Sequence, residues 1–547
     1  MFTSDSSLSL AAKALLLLLL LLLLWRLANA WRRRAHLPPG PANGPALRTK
    51  LRRTPHEVFR RWSAQYHSGV VSLGILWKRI VVVNAFPAAD ALLNKRSAAF
   101  SDRPDRVAAY LSVRSPSPSS PSRSFPVSSF SSCDYDRGMA FISQGPRFKA
   151  MRSLYHHALN AHAMSAQTAY FERAALGFLQ PLLEKPVDLF RHIHAFYTKT
   201  VLDWTLGDGA YEQADGDLAR LSESIGENST YMLATSTQLW VEIFPPLRYL
   251  PVWMVGPKTA SILRRFKSEL DALMERTDEH IRHSLEKGAP LSFLSRIYSQ
   301  PLSPEEKNIA LYASASLTTA GFHTLISLTI SFFLAMLKYP DVQRKAQEEI
   351  DRVVGRTRLP SAADRAALPY TEALIMEVMR WVPPVALTSR ALGQDEWYED
   401  MLFPRGSTVV TNLWAMMRDK ARFPNPDEFR PERFLVTSKV DGTVRIDADA
   451  VRYVRHVVFG FGRRVCPGRF YAEALLWTTL SGVLATTRIS QPPDTPFVMP
   501  EIIDGTIIRY EEFPYVLEER FEGAAELVRA AAAEAHAGAV EEGHVNV

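Results

Sequence analysis

The stretch Phe459-Gly460-Phe461-Gly462-Arg463-Arg464-Val465-Cys466-Pro467-Gly468 constrains this chain more than any other. It sets one of only two cysteines in 547 residues on a glycine-rich loop, with arginines beside it. Glycines let a backbone approach a bound group closely, and loop N–H groups can bond a sulfur. Such a loop suits a thiolate that ligates a metal cofactor, with nearby cations to pair its carboxylates. Cys133 and Cys466 are too few for a disulfide framework, and a reduced compartment fits a cysteine ligand.

The rest of the chain must then supply a pocket and a scaffold for that loop. With 47% hydrophobic and 22% charged residues it can bury a large core. No linker divides the second half, so one large catalytic unit is expected. The net charge of +7 is scattered except at Arg32-Arg33-Arg34, which argues against a nucleic-acid partner. Leu15–Leu24 is an unbroken leucine run. Residues 11–31 reach the roughly 20 apolar residues that cross a bilayer core. Arginines after the run place the bulk of the protein in the cytosol, and a retained anchor is favoured over a cleaved leader. Residues 35–45, with Pro38-Pro39-Gly40-Pro41, read as a semi-rigid hinge.

Between anchor and loop the pattern is mainly helical with small β-sheets at the margins. Strands are expected within 70–85 and near 385–387 and 408–411. Helices are expected at 87–100, 341–354, 369–382 and 469–485, and the tail 521–547 is helical or frayed. Ser303-Pro304-Glu305-Glu306 is a strong helix start, and the next proline is Pro340. One helix of roughly 35 residues could run about 50 Å. Its hydroxyl residues and His323 favour burial in the fold over a second membrane span. Residues 113–132 form a Ser/Pro-rich tract that cannot offset its ordering entropy by burial and reads as a disordered insertion. A retained short intron is one origin for it, which the mature transcript would decide.

Phe459-x-x-Gly462-x-Arg464-x-Cys466-x-Gly468 fixes five positions in ten, a chance match on the order of one in ten thousand. It resembles the signature of the haem-thiolate cytochrome P450 family, and the likeness runs on into Ala472. Other landmarks follow in order. Glu377-Val378-Met379-Arg380 is an E-x-x-R on a helix, with Pro431-Glu432-Arg433-Phe434 as its partner motif. Glu349 and Arg352 share the E-x-x-R spacing, so the partner motif is what distinguishes the pair at 377. Gly145–Arg152 is similar to the family's W-x-x-x-R helix, with Phe148 in place of the tryptophan. Ala320-Gly321-Phe322-His323-Thr324 stands where the family has A-G-x-[D/E]-T. The likeness covers residues 35–520 apart from the 113–132 tract, and its flavour resembles fungal secondary-metabolism members.

The resemblance implies a cytochrome P450 fold, one domain over 46–520 behind the transmembrane helix. It implies haem b held by Cys466 as axial iron ligand, a thiolate that favours O–O cleavage. Arg464, Arg152 and Arg390 would face the propionates, with Phe459, Phe148, Gly468 and Ala472 completing the cofactor site. Glu377, Arg380 and Arg433 would form a structural ion-paired cluster. Thr324 would deliver protons, with His323 in the place of the usual acid. Ala320, Phe322, Leu387 and Thr388 are the candidate substrate contacts. The implied activity is monooxygenation, hydroxylation or epoxidation, of an apolar small molecule at the endoplasmic reticulum membrane. The chain lacks a nicotinamide or flavin fingerprint, so electrons would come from NADPH through a separate flavoprotein reductase. Arg463, Arg469, Arg147 and Lys149 are candidates for its docking face. Two other readings remain: a haem-thiolate isomerase, dehydratase or peroxide user without a reductase, motivated by His323, and a non-catalytic or misfolded product, motivated by the 113–132 tract.

Overall fold

Ser303 starts the longest helix as its sequence predicts. Its hydroxyl accepts from the Glu306 N–H at 3.3 Å, while the Glu306 carboxylate accepts from the Ser303 N–H at 2.9 Å. This reciprocal cap satisfies two donors that a helix start otherwise leaves unpaired. The computed structural model describes residues 35–41, 54–75, 78–104, 137–212, 216–233, 257–503 and 505–541, with 14, 15 and 17 near the N-terminus. The 113–132 tract and, apart from those three residues, the expected membrane span 11–31 lie outside the described residues.

The helices that matter for the site are, in chain order, α1 (Pro55–Gln65), α2 (Pro146–Ala158), α3 (Thr168–Glu184), α4 (Leu189–Leu206), α5 (Asp217–Leu233) and α6 (Pro257–Glu286). They continue with α7 (Pro304–Lys338), α8 (Pro340–Val353), α9 (Pro369–Trp381), α10 (Ala448–Val458), α11 (Arg469–Thr486) and α12 (Ala524–Glu541). The strands are β1 (Val70–Ile75), β2 (Lys78–Val83), β3 (Leu387–Ala391), β4 (Thr408–Asn412), β5 (Thr487–Ser490), β6 (Arg509–Tyr510) and β7 (Val516–Glu519). A fold that is mainly helical with small sheets results.

Helix α7 runs through the middle, against α4, α5, α2 and α9. It is long and apolar enough to cross a membrane, yet its apolar stretch is packed inside the fold, with Phe332, Phe333, Leu334 and Met336 without accessible surface. Each large apolar side chain so buried contributes about 2–3 kcal/mol, which fixes α7 as a core helix. The four-stranded sheet has the order β1-β2-β4-β3. Its antiparallel pairs register Val71 with Val82 and Ser389 with Val410, and the parallel β2–β4 pair registers Val81 with Val409. That parallel pair ties the early chain to the segment leading toward the cysteine loop. Helix α1 covers the sheet with Phe59 and Trp62 against Val71, Leu73 and Val82.

Two expectations change, and a third, the helical or frayed tail, resolves as helix. The helix expected at 87–100 is a short α-turn, Phe86–Ala89, passing into a π-turn at Asp90–Lys95. The proline hinge, described over 35–41, docks on β1: Ser72 donates its N–H to Pro39 and its hydroxyl to Pro38, at 2.8 and 2.7 Å. Gly40 passes so close to the Ser72 carbonyl that no side chain would fit. The tail beyond 520 folds as α12 against α3, with Ala524 and Val528 wholly buried.

Candidate active site

Helix α10 ends at Val458 and α11 begins at Arg469, so the Phe459–Gly468 segment is a loop held at both stems. The Cys466 N–H donates to the Phe459 carbonyl at 2.7 Å, and the Val465 N–H to the Gly462 carbonyl at 3.1 Å. Gly460 and Gly462 take positive φ of 83° and 59°, the left-handed turns that fold the loop back. Helix α2 supplies Arg152, whose guanidinium donates to the Val465 carbonyl at 2.7 Å. Burial pushes the Cys466 thiol up, while the Gly468 N–H, Arg152 and Arg469 oppose that shift. The sulfur therefore needs a further positive centre to stay a thiolate.

Arg464 donates to the carbonyls of Ser101 and Ile142 at 2.8 and 2.6 Å and lies 3.9 Å above the Phe148 ring. Phe148 thus supports a guanidinium by cation–π stacking where a tryptophan would have offered an N–H. Arg390 is 4% exposed, and its guanidinium has no hydrogen-bond or ion-pair partner among the described residues. Burial and the neighbouring Arg464 pull it down to about 9. Burial also pulls Arg464 down to about 10, with Asp102 opposing and Arg152 reinforcing the shift. Arg152, Arg390 and Arg464 make no ion pair among the described residues, and buried cations without counter-charges are costly.

Among the described residues no cluster of three or more His, Cys, Asp or Glu could hold a metal. A metal at Cys466 must therefore bring its other ligands with it and must carry anionic groups for the arginines. Haem, a macrocyclic iron chelate with two propionates, meets both demands. A Cβ built on Gly468 meets nothing within 4 Å, which leaves room beside the sulfur. Phe459 and Ala472 are half-buried on the stems of the loop. A separate open cleft of about 950 Å³ between α3 and α4, lined by Tyr170, Gly177, Phe196 and Asp203, shares none of these residues.

Behind the loop, α9 carries the charged cluster. Arg380 grips Glu377 through two bonds of 2.6 and 2.8 Å, and Arg433 reaches the same carboxylate at 3.1 Å. Glu377 and Arg380 have no accessible surface, and Arg380 also donates to the carbonyls of Met417, Pro426 and Glu428. This charge is satisfied on every side, as burial requires. Two features escaped the sequence reading. Glu349 on α8 caps the start of α9, accepting from the Tyr370 and Thr371 N–H groups at 2.8 Å each. Arg455 on α10 pairs with Glu473 on α11 at 2.9 Å and with Glu372 on α9 at 3.2 Å, linking the two stems of the cysteine loop.

Between Tyr312 and Leu337, α7 is buried except for a stripe at Ser316, Leu317, Thr319, Ala320, Gly321 and Thr324, with Ala320 exposed. Ala320 is thus a point halfway along a core helix that the described residues leave uncovered. Met139 joins this stripe to the cation site: its N–H donates to the Ser316 hydroxyl at 3.1 Å, and its carbonyl accepts from Arg464 at 3.4 Å. The Thr324 hydroxyl makes only a long bond, 3.3 Å, to the Gly321 carbonyl. Leu387 and Thr388 are half-buried on β3.

Phe322 does not join them. It has no accessible surface, because its position on α7 turns it away from the stripe, beside His323 with ring centroids 4.4 Å apart. His323 is buried against α5: a Cβ on Gly226 would fall 2.4 Å from its Nε2, and that nitrogen has no hydrogen-bond partner among the described residues. Burial first, then Arg509 and His194, bring it down to about 4, with the Glu223 backbone opposing. The imidazole is neutral at pH 7.

Comparison with known proteins matches this picture. The cytochrome P450 family profile matches residues 109–508. A cytochrome P450 monooxygenase from Coprinopsis cinerea, COX2, is 32% identical over 470 residues, covering 84% of this chain and 83% of its own. Cytochrome P450 monooxygenase 176 from Postia placenta is 32% identical over 519 residues, 91% of this chain and 92% of its own. Among solved structures, a zebra fish cytochrome P450 with abiraterone superposes with a TM-score of 0.64 at 21% identity, over 85% of this chain and all of that one, a likeness of fold. With its cysteine loop, its cluster of arginines that make no ion pair among the described residues and this breadth of match, the chain belongs to the cytochrome P450 family and is an oxidoreductase of the monooxygenase type.

Proposed function

We propose that this chain is a membrane-anchored monooxygenase of fungal secondary metabolism that inserts one oxygen atom of dioxygen into an apolar small molecule, by hydroxylation or epoxidation. NADPH supplies the electrons through a separate flavoprotein reductase. The observation that carries this reading is the accessible Ser316–Ala320–Thr324 stripe on a buried helix, joined through Met139 to Arg464 beside the free Cys466. Residues 11–31 would anchor the chain in the endoplasmic reticulum membrane with the catalytic body in the cytosol. Removing residues 1–34 should move the protein from the membrane to the soluble fraction, and a protein still on membranes would refute that anchor.

Bound haem supplies the activation of dioxygen and the oxidising power. The protein does the rest. Cys466 provides the thiolate ligand, and Arg152, Arg390 and Arg464 neutralise the propionates. Ala320, Leu387 and Thr388 hold an apolar substrate and exclude water from the space beneath α7. The Thr324 Oγ1, only loosely bound to the Gly321 carbonyl, is free to pass a proton onward. His323 stands in the place of the family's acid as a neutral imidazole turned toward Gly226 and away from the stripe, so it can act on the Thr324 proton only through an intervening group. Of the expected docking residues, Arg147 is engaged by Glu305 at 2.8 Å, which leaves Lys149 and Arg463 as the exposed cations for the reductase. Reduction that ignores ionic strength would remove that docking face.

A spectral binding screen with apolar metabolites, followed by turnover with NADPH and reductase, tests the whole reading. Hydroxylated or epoxidised product that requires both reductant and dioxygen supports it. His323 favours one competitor, a haem-thiolate isomerase, dehydratase or peroxide user, and turnover without reductant would select it. With His323→Ala, unchanged coupling of NADPH use to product would take His323 out of the proton path.

A further inference from the structure

The π-turn at Asp90–Lys95 sits directly against the cysteine loop, and one side chain joins them. Asn94 Oδ1 accepts the Gly462 N–H at 2.6 Å. Because that atom accepts, it is the amide oxygen, and the amide nitrogen faces the other way. There Nδ2 donates to Asp90 Oδ1 at 2.7 Å and meets His456 Nε2 at 2.6 Å. Nδ2 has only hydrogens to offer, so His456 Nε2 must carry the lone pair and its proton must sit on Nδ1. His456 itself is wedged between Phe86 and Phe461, with ring centroids at 5.7 and 5.1 Å. Asn94 is thus bonded to the tip of the loop, to the helix that enters it and to its own turn. Gly462 cannot move off this contact sideways, since its Cα lies close against the Leu93 carbonyl.

We infer that Asn94 is a positioning residue for the thiolate ligand: its amide, oriented by His456 and Asp90, pins the Gly462 N–H and so fixes the loop that presents Cys466. The inference rests on the haem-thiolate reading of Cys466. A π-turn adds one residue to the helical repeat, which swings Asn94 toward the loop, and such turns recur at functional sites. Losing the amide leaves the Gly462 N–H unpaired in a partly buried loop, an unfavourable state that the loop relieves by shifting.

The test uses the full-length, haem-loaded protein. The share of reduced carbon-monoxide complex in the red-shifted thiolate band, normalised to total haem, is followed in mild denaturant. Asn94→Ala should lose the band about tenfold faster than wild type, equivalent to about 1.4 kcal/mol. His456→Leu, which removes the acceptor that orients Asn94, should fall between the two. His456→Gln, whose amide oxygen can take the same bond, should restore the wild-type rate. Equal rates in Asn94→Ala and wild type would overturn the inference. If Asn94→Ala does not fold, equal rates in His456→Leu and His456→Gln would overturn it instead. Hydrogen exchange of the 459–468 amides in haem-free protein is a second readout: Asn94→Ala should unprotect Gly462, and unchanged protection refutes the latch. Should wild type show no thiolate band at all, the haem reading fails and the exchange measurement still decides the latch.

Discussion

A methyl group on Gly462 would sit 2.0 Å from the Leu93 carbonyl oxygen, at a φ of +59° that L side chains rarely adopt. Gly462→Ala should therefore displace the loop, with about 1–3 kcal/mol of strain before any clash, and haem content after purification should fall well below wild type. His323 makes a different prediction, in pH. Burial and Arg509 bring it from 6.5 to about 4 in the folded chain. Above pH 6.5 folded and unfolded states both carry neutral imidazole, so the residue leaves stability unchanged there. As pH falls from 6.5 toward 4, the unfolded chain binds a proton that the folded chain refuses, and stability drops by about 3 kcal/mol in all. His323→Gln should melt with a smaller loss between about pH 7 and pH 5 than wild type, read by circular dichroism. Cys466, Arg152, Arg464 and Thr324 stand out in the sequence because each sits in a motif of fixed spacing. Asn94 and Glu349 do not, since their partners lie on other elements and no local pattern marks them. Phe322 was misassigned because a motif gives order along a helix but not which face meets the cavity.

Helix starts were the most readable elements, since a cap is written within four residues. Ser303→Ala removes one half of the reciprocal cap on α7 and should cost about 1 kcal/mol. Glu349→Ala should cost more, about 2–3 kcal/mol, because it strands two buried N–H groups at the start of α9. Chemical denaturation of both variants checks the order, and an equal cost would contradict the cap on α9. The boundaries of α8, α9 and α11 fell within a residue or two of expectation, each marked by proline, glycine or a change of period. The π-turn at Asp90–Lys95 was missed because a single extra residue in one turn leaves the apolar pattern intact. The Pro38–Gly40 segment read as a spacer for the same kind of reason: its composition is that of a linker, while its two bonds to Ser72 depend on a strand in another segment.

At the scale of the molecule, α12 packs on α3, α3 packs on α11, and α11 carries one stem of the cysteine loop. Ending the chain after Gly523 would expose the surface that Ala524 and Val528 now cover. Burying a valine is worth about 1.5–3 kcal/mol, so the truncated protein should melt several degrees lower and lose haem sooner on heating. An unchanged melting temperature would show that α12 contributes nothing to the body. The sequence by itself determined the family: a cysteine on a glycine loop, with arginines in their motifs, because residue type and backbone freedom are properties of individual residues. It also determined that α7 is a core helix, because hydroxyls and a histidine interrupt its apolar run. Only the tertiary structure decided what surrounds those motifs. It left Arg390 without a counter-charge among the described residues, turned His323 toward Gly226 instead of the accessible stripe, and joined Asn94, His456 and Gly462 at the loop. Those contacts arise from packing elements far apart in the chain, and packing is fixed by the whole core rather than by any local pattern.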